Sequence, residues 1–158
     1  HLADLIIAAD KENATEDELD IAVRNAAAKE FIEKLSDGLD YELTQQATNL
    51  SGGQKQRLSM ARAFIRKAPI MIFDDSTSAV DTISEAIIQE AIKENTDVST
   101  VFIISSKISS VKNCNQILVL DDGNLVAKGT HEQLLAHSTI YQDMFEAQSK
   151  KEVLDFEA

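Results

Sequence analysis

The chain has 158 residues, 44% of them hydrophobic, and a formal net charge of −12. That is enough apolar material for one domain with a core, and it argues against disorder. The acidity argues against nucleic acid as a partner, because a phosphate backbone is held by clustered Lys and Arg.

Thr15-Glu16-Asp17-Glu18 reads as a capping box, with Thr15 as cap and Glu18 reaching back. Leu19, Ala22, Val23 and Ala26 follow at helical spacing. A short helix is predicted from Lys29 to Leu35, ended by the turn dipeptide Asp37-Gly38. Residues 39–49 are polar and irregular. From Ser51 to Lys67 the pattern is helical, with Leu58, Ala61, Phe64 and Ile65 on one face. After Pro69, the run Ile70-Met71-Ile72-Phe73 ends in Asp74-Asp75 and reads as a strand buried on both faces. A helix is expected from Asp81 to Lys93. Further buried strands are expected from Thr100 to Ile104 and from Gln116 to Leu120. Asp121-Asp122-Gly123-Asn124 is a turn signal before a short strand, Leu125 to Lys128. Thr130-His131-Glu132-Gln133 is a second capping box. The last helix is expected from Ser138 to Gln148, followed by an acidic tail, 149–158. Strands alternating with helices predict an α/β domain with a largely parallel sheet, beside a leading helical part.

Cys114 is the only cysteine, so neither a disulfide framework nor a Cys-based zinc site is available, and a reducing setting fits. His1, His131 and His137 show no metal-ligand spacing. No apolar run approaches the roughly 20 residues that cross a bilayer, and no signal-peptide pattern is seen. The start at His1 rather than Met reads as a piece of a longer protein.

The chemistry concentrates at Ser51-Gly52-Gly53, directly before a helix. A helix start exposes backbone N–H groups without intrahelical partners, and its dipole favours an anion. Glycines let a phosphate approach the backbone. Ser51 can cap the helix or donate its hydroxyl to a phosphate oxygen. Ser-Gly-Gly alone is better read as an ordinary capped helix after a glycine turn. The full run Leu50-Ser51-Gly52-Gly53-Gln54-Lys55-Gln56-Arg57 resembles the signature motif of ABC transporter nucleotide-binding domains at every position.

Other segments extend the resemblance over about Leu2 to Gln148. Ile70 to Asp74 looks like a Walker B strand, with Asp74 placed to hold Mg2+ through water. A strand merely ending in solvated acids is the plainer reading of that segment taken alone. Ser78-Ala79-Val80-Asp81 resembles the D-loop, and can equally be a helix cap. Leu118 to Gly123 and Lys128 to Glu132 resemble the closing segments of ABC exporter domains. Tyr41 to Ala47 matches the exporter X-loop loosely, and a plain surface loop is nearly as good a reading. The resemblance implies a P-loop NTPase-like ABC ATPase fold, truncated. Residues 1–68 would form the helical signature subdomain with its preceding segment, 69–148 the carboxyl-terminal part of the catalytic core, and 149–158 a tail. It implies a head-to-tail dimer in which Ser51, Gly52, Gly53 and Gln54 touch ATP held by a second nucleotide-binding domain. Asp74 and Asp75 would serve ATP on this chain's own side, and Ser78 and Asp81 would lie between the two sites. A transmembrane domain fused upstream, and a place at the cytoplasmic face of the cell membrane, are implied as well.

Two departures stand out. The family usually has Glu after the Walker B Asp, and here it is Asp75. One methylene fewer draws the carboxylate back by roughly 1.5 Å, and misplacement on that scale is costly in rate. The family's switch histidine position carries Ser106, which cannot bear an imidazole's charge. Either change alone reads as drift. Together they resemble the degenerate half of a heterodimeric exporter whose partner carries the intact Glu and His. No Gly-x-x-x-x-Gly-Lys-[Ser/Thr] occurs, since the glycines are Gly38, Gly52, Gly53, Gly123 and Gly129. The family places that Walker A loop before the point where this chain begins, so the 158 residues by themselves are expected to be inactive. The competing readings are an ABC-type ATPase of DNA repair or of translation, and a non-catalytic regulatory fragment. The lack of heptads, the acidity and the exporter-like ending weigh against the first two.

Overall fold

A computed structural model describes residues 1–9, 14–94 and 100–156, with side chains described through Lys150. It divides into two compact units, residues 1–104 and 105–158.

The first unit opens with α1 (Leu2–Ile7), α2 (Glu16–Asn25) and α3 (Lys29–Glu33). The Thr15 box forms as expected: Glu18 N–H donates to Thr15 Oγ1 at 3.2 Å, and Thr15 N–H donates to Glu18 Oε2 at 2.9 Å. The irregular stretch that follows is ordered by one side chain. Asn49 accepts from Thr44 N–H and Oγ1, and donates to Tyr41 Oη and the Glu42 carbonyl. Next come α4 (Gly52–Ile65), β1 (Ile70–Asp74), α5 (Thr82–Glu94) and β2 (Thr100–Ile104). The predicted apolar face of α4 is the observed one, with Leu58, Ala61, Phe64 and Ile65 buried. It reaches β1 through Phe64 and Phe73, whose ring centroids lie 6.0 Å apart. Strands β1 and β2 pair in parallel, from Ile70 opposite Thr100 to Asp74 opposite Ile104.

Burial on both faces does not hold for these strands. Met71 and Phe73 are buried, whereas Ile70 is 57% exposed, Ile72 64% and Phe102 51%. Successive strand residues point to opposite faces. Among the described residues of this unit, only the Met71/Phe73 face meets the apolar faces of helices. The run of four apolar residues was an accurate sign of a strand, and says nothing about which covering elements this stretch of chain itself carries.

The second unit contains α6 (Ile108–Val111), β3 (Ile117–Asp121), β4 (Asn124–Gly129), α7 (His131–His137) and α8 (Thr139–Phe156). Here too the strand is half open: Ile117 and Val119 are buried, while Leu118 and Leu120 are exposed. The parallel pairing expected of the sheet is present as β1–β2, whereas β3 and β4 form an antiparallel hairpin with a bulge at Val119/Leu120. The Asp122-Gly123 turn joins them, with Gly123 at φ +76°. Thr130 caps α7 as predicted. A small core of Ile108, Ile117, Val119, Leu134 and Tyr141 holds the unit, and His131 Nδ1 lies 2.9 Å from Tyr141 Oη. Helix α8 runs beyond Gln148 to Phe156, through most of the expected tail; residues 157–158 lie outside the described residues.

Candidate functional site

The start of α4 is built by its own sequence. Ser51 has an extended backbone and caps the helix: Gln54 N–H donates to Ser51 Oγ at 3.3 Å, and Ser51 N–H donates to Gln54 Oε1 at 2.8 Å. Ser51 and Gln54 are thus engaged with one another as a capping box. The amides of Gly52 and Gly53, first and second in the helix, have no carbonyl four residues back to donate to. They are the donors an anion would meet.

The two glycines differ. A Cβ on Gly52 would meet nothing within 4 Å, so no packing inside this chain requires glycine there. A Cβ on Gly53 would lie 2.5 Å from the Ala79 carbonyl oxygen, a backbone atom that cannot step aside cheaply. Gly53 therefore lets the helix start pack on the loop of Ser78 to Asp81, whereas Gly52 leaves the outer side open. Gln56 lies three residues after Gly53, on the same helix face. Its Nε2 donates to Ser78 Oγ at 2.9 Å and to the Asp75 carbonyl at 3.4 Å, and its Oε1 accepts from Ala79 N–H at 3.0 Å. Because Ala79 N–H can only donate, the orientation of the amide follows from its partners.

Asp81 caps α5. Its carboxylate accepts from Ser84 N–H at 2.9 Å and from Ser84 Oγ at 2.8 Å. These two bonds, with the charge of Arg57 adding, hold the Asp81 carboxyl below its ordinary range. Arg57 donates through Nη1 to Ser84 Oγ and to the Ala27 carbonyl, and its guanidinium sits 4.9 Å from the Phe31 ring centroid. The loop at 78–81 is thus held from two points of α4, by Gln56 and by Arg57 through Ser84. The sequence singled out Ser78 and Asp81, carried Gln56 and Arg57 as part of the signature run without a role of their own, and gave no sign of Ser84. A polar residue three positions after a motif glycine was the available signal for Gln56.

The end of β1 is different. Asp75 has φ +46°, a left-handed conformation that Asp tolerates better than most residues. Its N–H donates to the Ile104 carbonyl at 2.8 Å, continuing the parallel ladder. Among the described residues, neither the Asp74 nor the Asp75 carboxylate accepts a hydrogen bond, and no group of three His, Cys, Asp or Glu side chains converges as a metal cage. Mg2+ is commonly held by one or two carboxylates together with phosphate oxygens and waters, and Asp74 fits such a partial role. Ser106 lies in the second unit, where its carbonyl accepts from Gln148 Nε2 at 2.8 Å. No described helix is long and apolar enough to cross a membrane.

Residues 6–78 match the family model described as ABC transporter. The chain is 49% identical over 146 residues to an uncharacterized ABC transporter ATP-binding protein of Bacillus subtilis (strain 168), covering 92% of this chain and 25% of that protein. It is 41% identical over 147 residues to an ATP-dependent lipid A-core flippase of Haemophilus ducreyi (strain 35000HP / ATCC 700724), covering 93% of this chain and 25% of the relative. A bacterial Atm1-family ABC exporter solved with ATP bound superposes with a TM-score of 0.87 at 34% identity, over 94% of this chain and 26% of that one. The chain spans about a quarter of the length of these relatives. With the eight-residue signature at the start of α4 and an α/β fold that superposes on an exporter, the chain belongs to the ABC transporter ATP-binding family.

Proposed function

We propose that this chain is the ATP-binding portion of an ABC exporter, in which ATP binding and hydrolysis between two nucleotide-binding domains drive transport through a membrane domain fused upstream. One observation carries this reading: a signature helix start that is open at Gly52 and packed on its own D-loop at Gly53. Such a start offers unpaired N–H groups and the positive end of a helix dipole to a phosphate approaching from outside the chain. Ser51 and Gln54 keep that end in shape by capping it. On the chain's own side, Asp74 would help hold Mg2+, and Asp75 occupies the position from which a carboxylate would orient the attacking water. The metal would neutralise developing charge on the phosphates.

Asp75 and Ser106 make that own side the impaired one, and a partner with Glu and His would complete a competent site with this chain's signature. Functionally, residues 1–68 would be the signature subdomain and 69–148 the core, at the cytoplasmic face of the membrane. The test is ATP turnover by the purified full-length protein with its partner in lipid vesicles, beside the isolated 158-residue chain. The assembly is expected to hydrolyse ATP with Mg2+, and the isolated chain to show no turnover. Brisk hydrolysis by the isolated chain, or by a full-length homodimer, would overturn the respective part of the reading.

A further inference from the structure

We propose that Gln56 is a positioning residue that locks the D-loop to the signature helix, so that the partner-facing helix start and the end of the Walker B strand are held as one piece. The inference rests on the ATPase reading above and adds to it a residue with no direct contact to nucleotide in its role.

The geometry singles Gln56 out. Its amide can give two N–H bonds and accept at one oxygen. Both donors and one of the oxygen's two acceptor positions are engaged, by the Asp75 carbonyl, Ser78 Oγ and Ala79 N–H. Asp75 is in turn tied to β2 through its N–H. Ala79 is the residue whose carbonyl presses on Gly53, one residue beyond the open Gly52. A short path of fixed contacts therefore runs from Ile104 and Asp75 through Gln56 to Ala79, and back to the helix start at Gly53. An ordinary surface glutamine on a helix would bond water. Here the side chain is half-buried and joins segments 19 to 23 residues away in sequence. If the loop carrying Ser78 and Asp81 shifted, the Ala79 carbonyl would move relative to Gly53. The amides of Gly52 and Gly53 would then aim differently at an anion. Catalysis that depends on positioned donors is sensitive to such displacement, while binding energy spread over many contacts is much less so.

The experiment uses the full-length protein assembled with its partner. Gln56→Met keeps the length of the side chain and removes all three bonds. Gln56→Glu keeps an oxygen acceptor for Ala79 N–H and can accept from the Ser78 hydroxyl, but loses the bond donated to the Asp75 carbonyl. Gln56→Met is expected to lower kcat for ATP on the order of ten-fold, with less than about a two-fold change in KM. Gln56→Glu is expected to recover part of the lost turnover, and neither variant should melt more than about 3 °C below the parent. An unchanged kcat in Gln56→Met overturns the proposal. So does a rise in KM alone, a turnover loss that tracks a large fall in melting temperature, or a Gln56→Glu protein no better than Gln56→Met. An unaltered assembly that hydrolyses no ATP contradicts instead the function proposed for the whole chain.

Discussion

The start of α4 and the end of β1 lie close together in one unit and are finished to different degrees. At the helix start the side chains of Ser51, Gln54 and Gln56 have partners inside the chain. Ser51 and Gln54 cap one another, Gly53 seats on Ala79, and Gln56 fastens the loop. At the strand end the backbone is fixed, but the Asp74 and Asp75 carboxylates accept nothing from the described residues. The difference fits the two roles proposed for these ends. A donor site for a phosphate brought by another domain has to be rigid before the phosphate arrives. A carboxylate meant for metal and water is left unpaired, because a strong internal partner would compete with them.

The two glycines give the largest effect with which to break this comparison. Gly53→Ala should destabilise by about 1–3 kcal/mol, because the new methyl meets a backbone oxygen. Gly52→Ala should be neutral or stabilising by about 0.5 kcal/mol, since nothing opposes it and the unfolded chain loses freedom. Thermal denaturation of the two variants separates them, and equal melting temperatures would mean the packing contrast is wrong. The strand end is sharpened by restoring the residues usual in the family. Asp75→Glu with Ser106→His, in the full-length protein assembled with the partner proposed above, is expected to raise turnover at this chain's own site about ten-fold, read as single-site ATP hydrolysis. The gain comes with a small loss of stability, because Glu accepts φ +46° less readily than Asp.

A smaller effect is expected at the cap of α5. Asp81→Ala should cost about 1 kcal/mol through loss of the Ser84 bonds. Its pH dependence has a definite sign. The folded carboxyl is held below the ordinary Asp value, so its contribution is full above that value and disappears as pH falls through the lowered folded one. Asp81→Asn, which keeps an acceptor but does not titrate, should flatten that acid limb in a series of melting curves. The smallest effect belongs to the exposed ion pair of Lys34 with Glu30, where Lys34→Ala should leave the melting temperature essentially unchanged.

Much of this was legible in the sequence because its signals are local. The capping boxes at Thr15 and Thr130, the Asp122-Gly123 turn and the buried face of α4 each depend on residues a few positions apart. The roles of Gly53 and Gln56 depend on Ala79, more than 20 residues away, and periodicity cannot show which distant loop a helix face will meet. The exposed faces of β1 and β2 went unread for a related reason: Ile70 and Ile72 report that a face is apolar, and what covers it is decided elsewhere. The short helices α1 and α6 are too brief to show a period.

On the proposed reading, Gly52 serves an anion from outside the chain and nothing within it. Gly52→Asp tests this most directly, because a negative charge at a helix start is favourable to the helix itself and repels phosphate. In the full-length assembly the variant should melt no lower than the parent while ATP turnover falls at least about ten-fold. Undiminished turnover at an unchanged melting temperature would contradict the account.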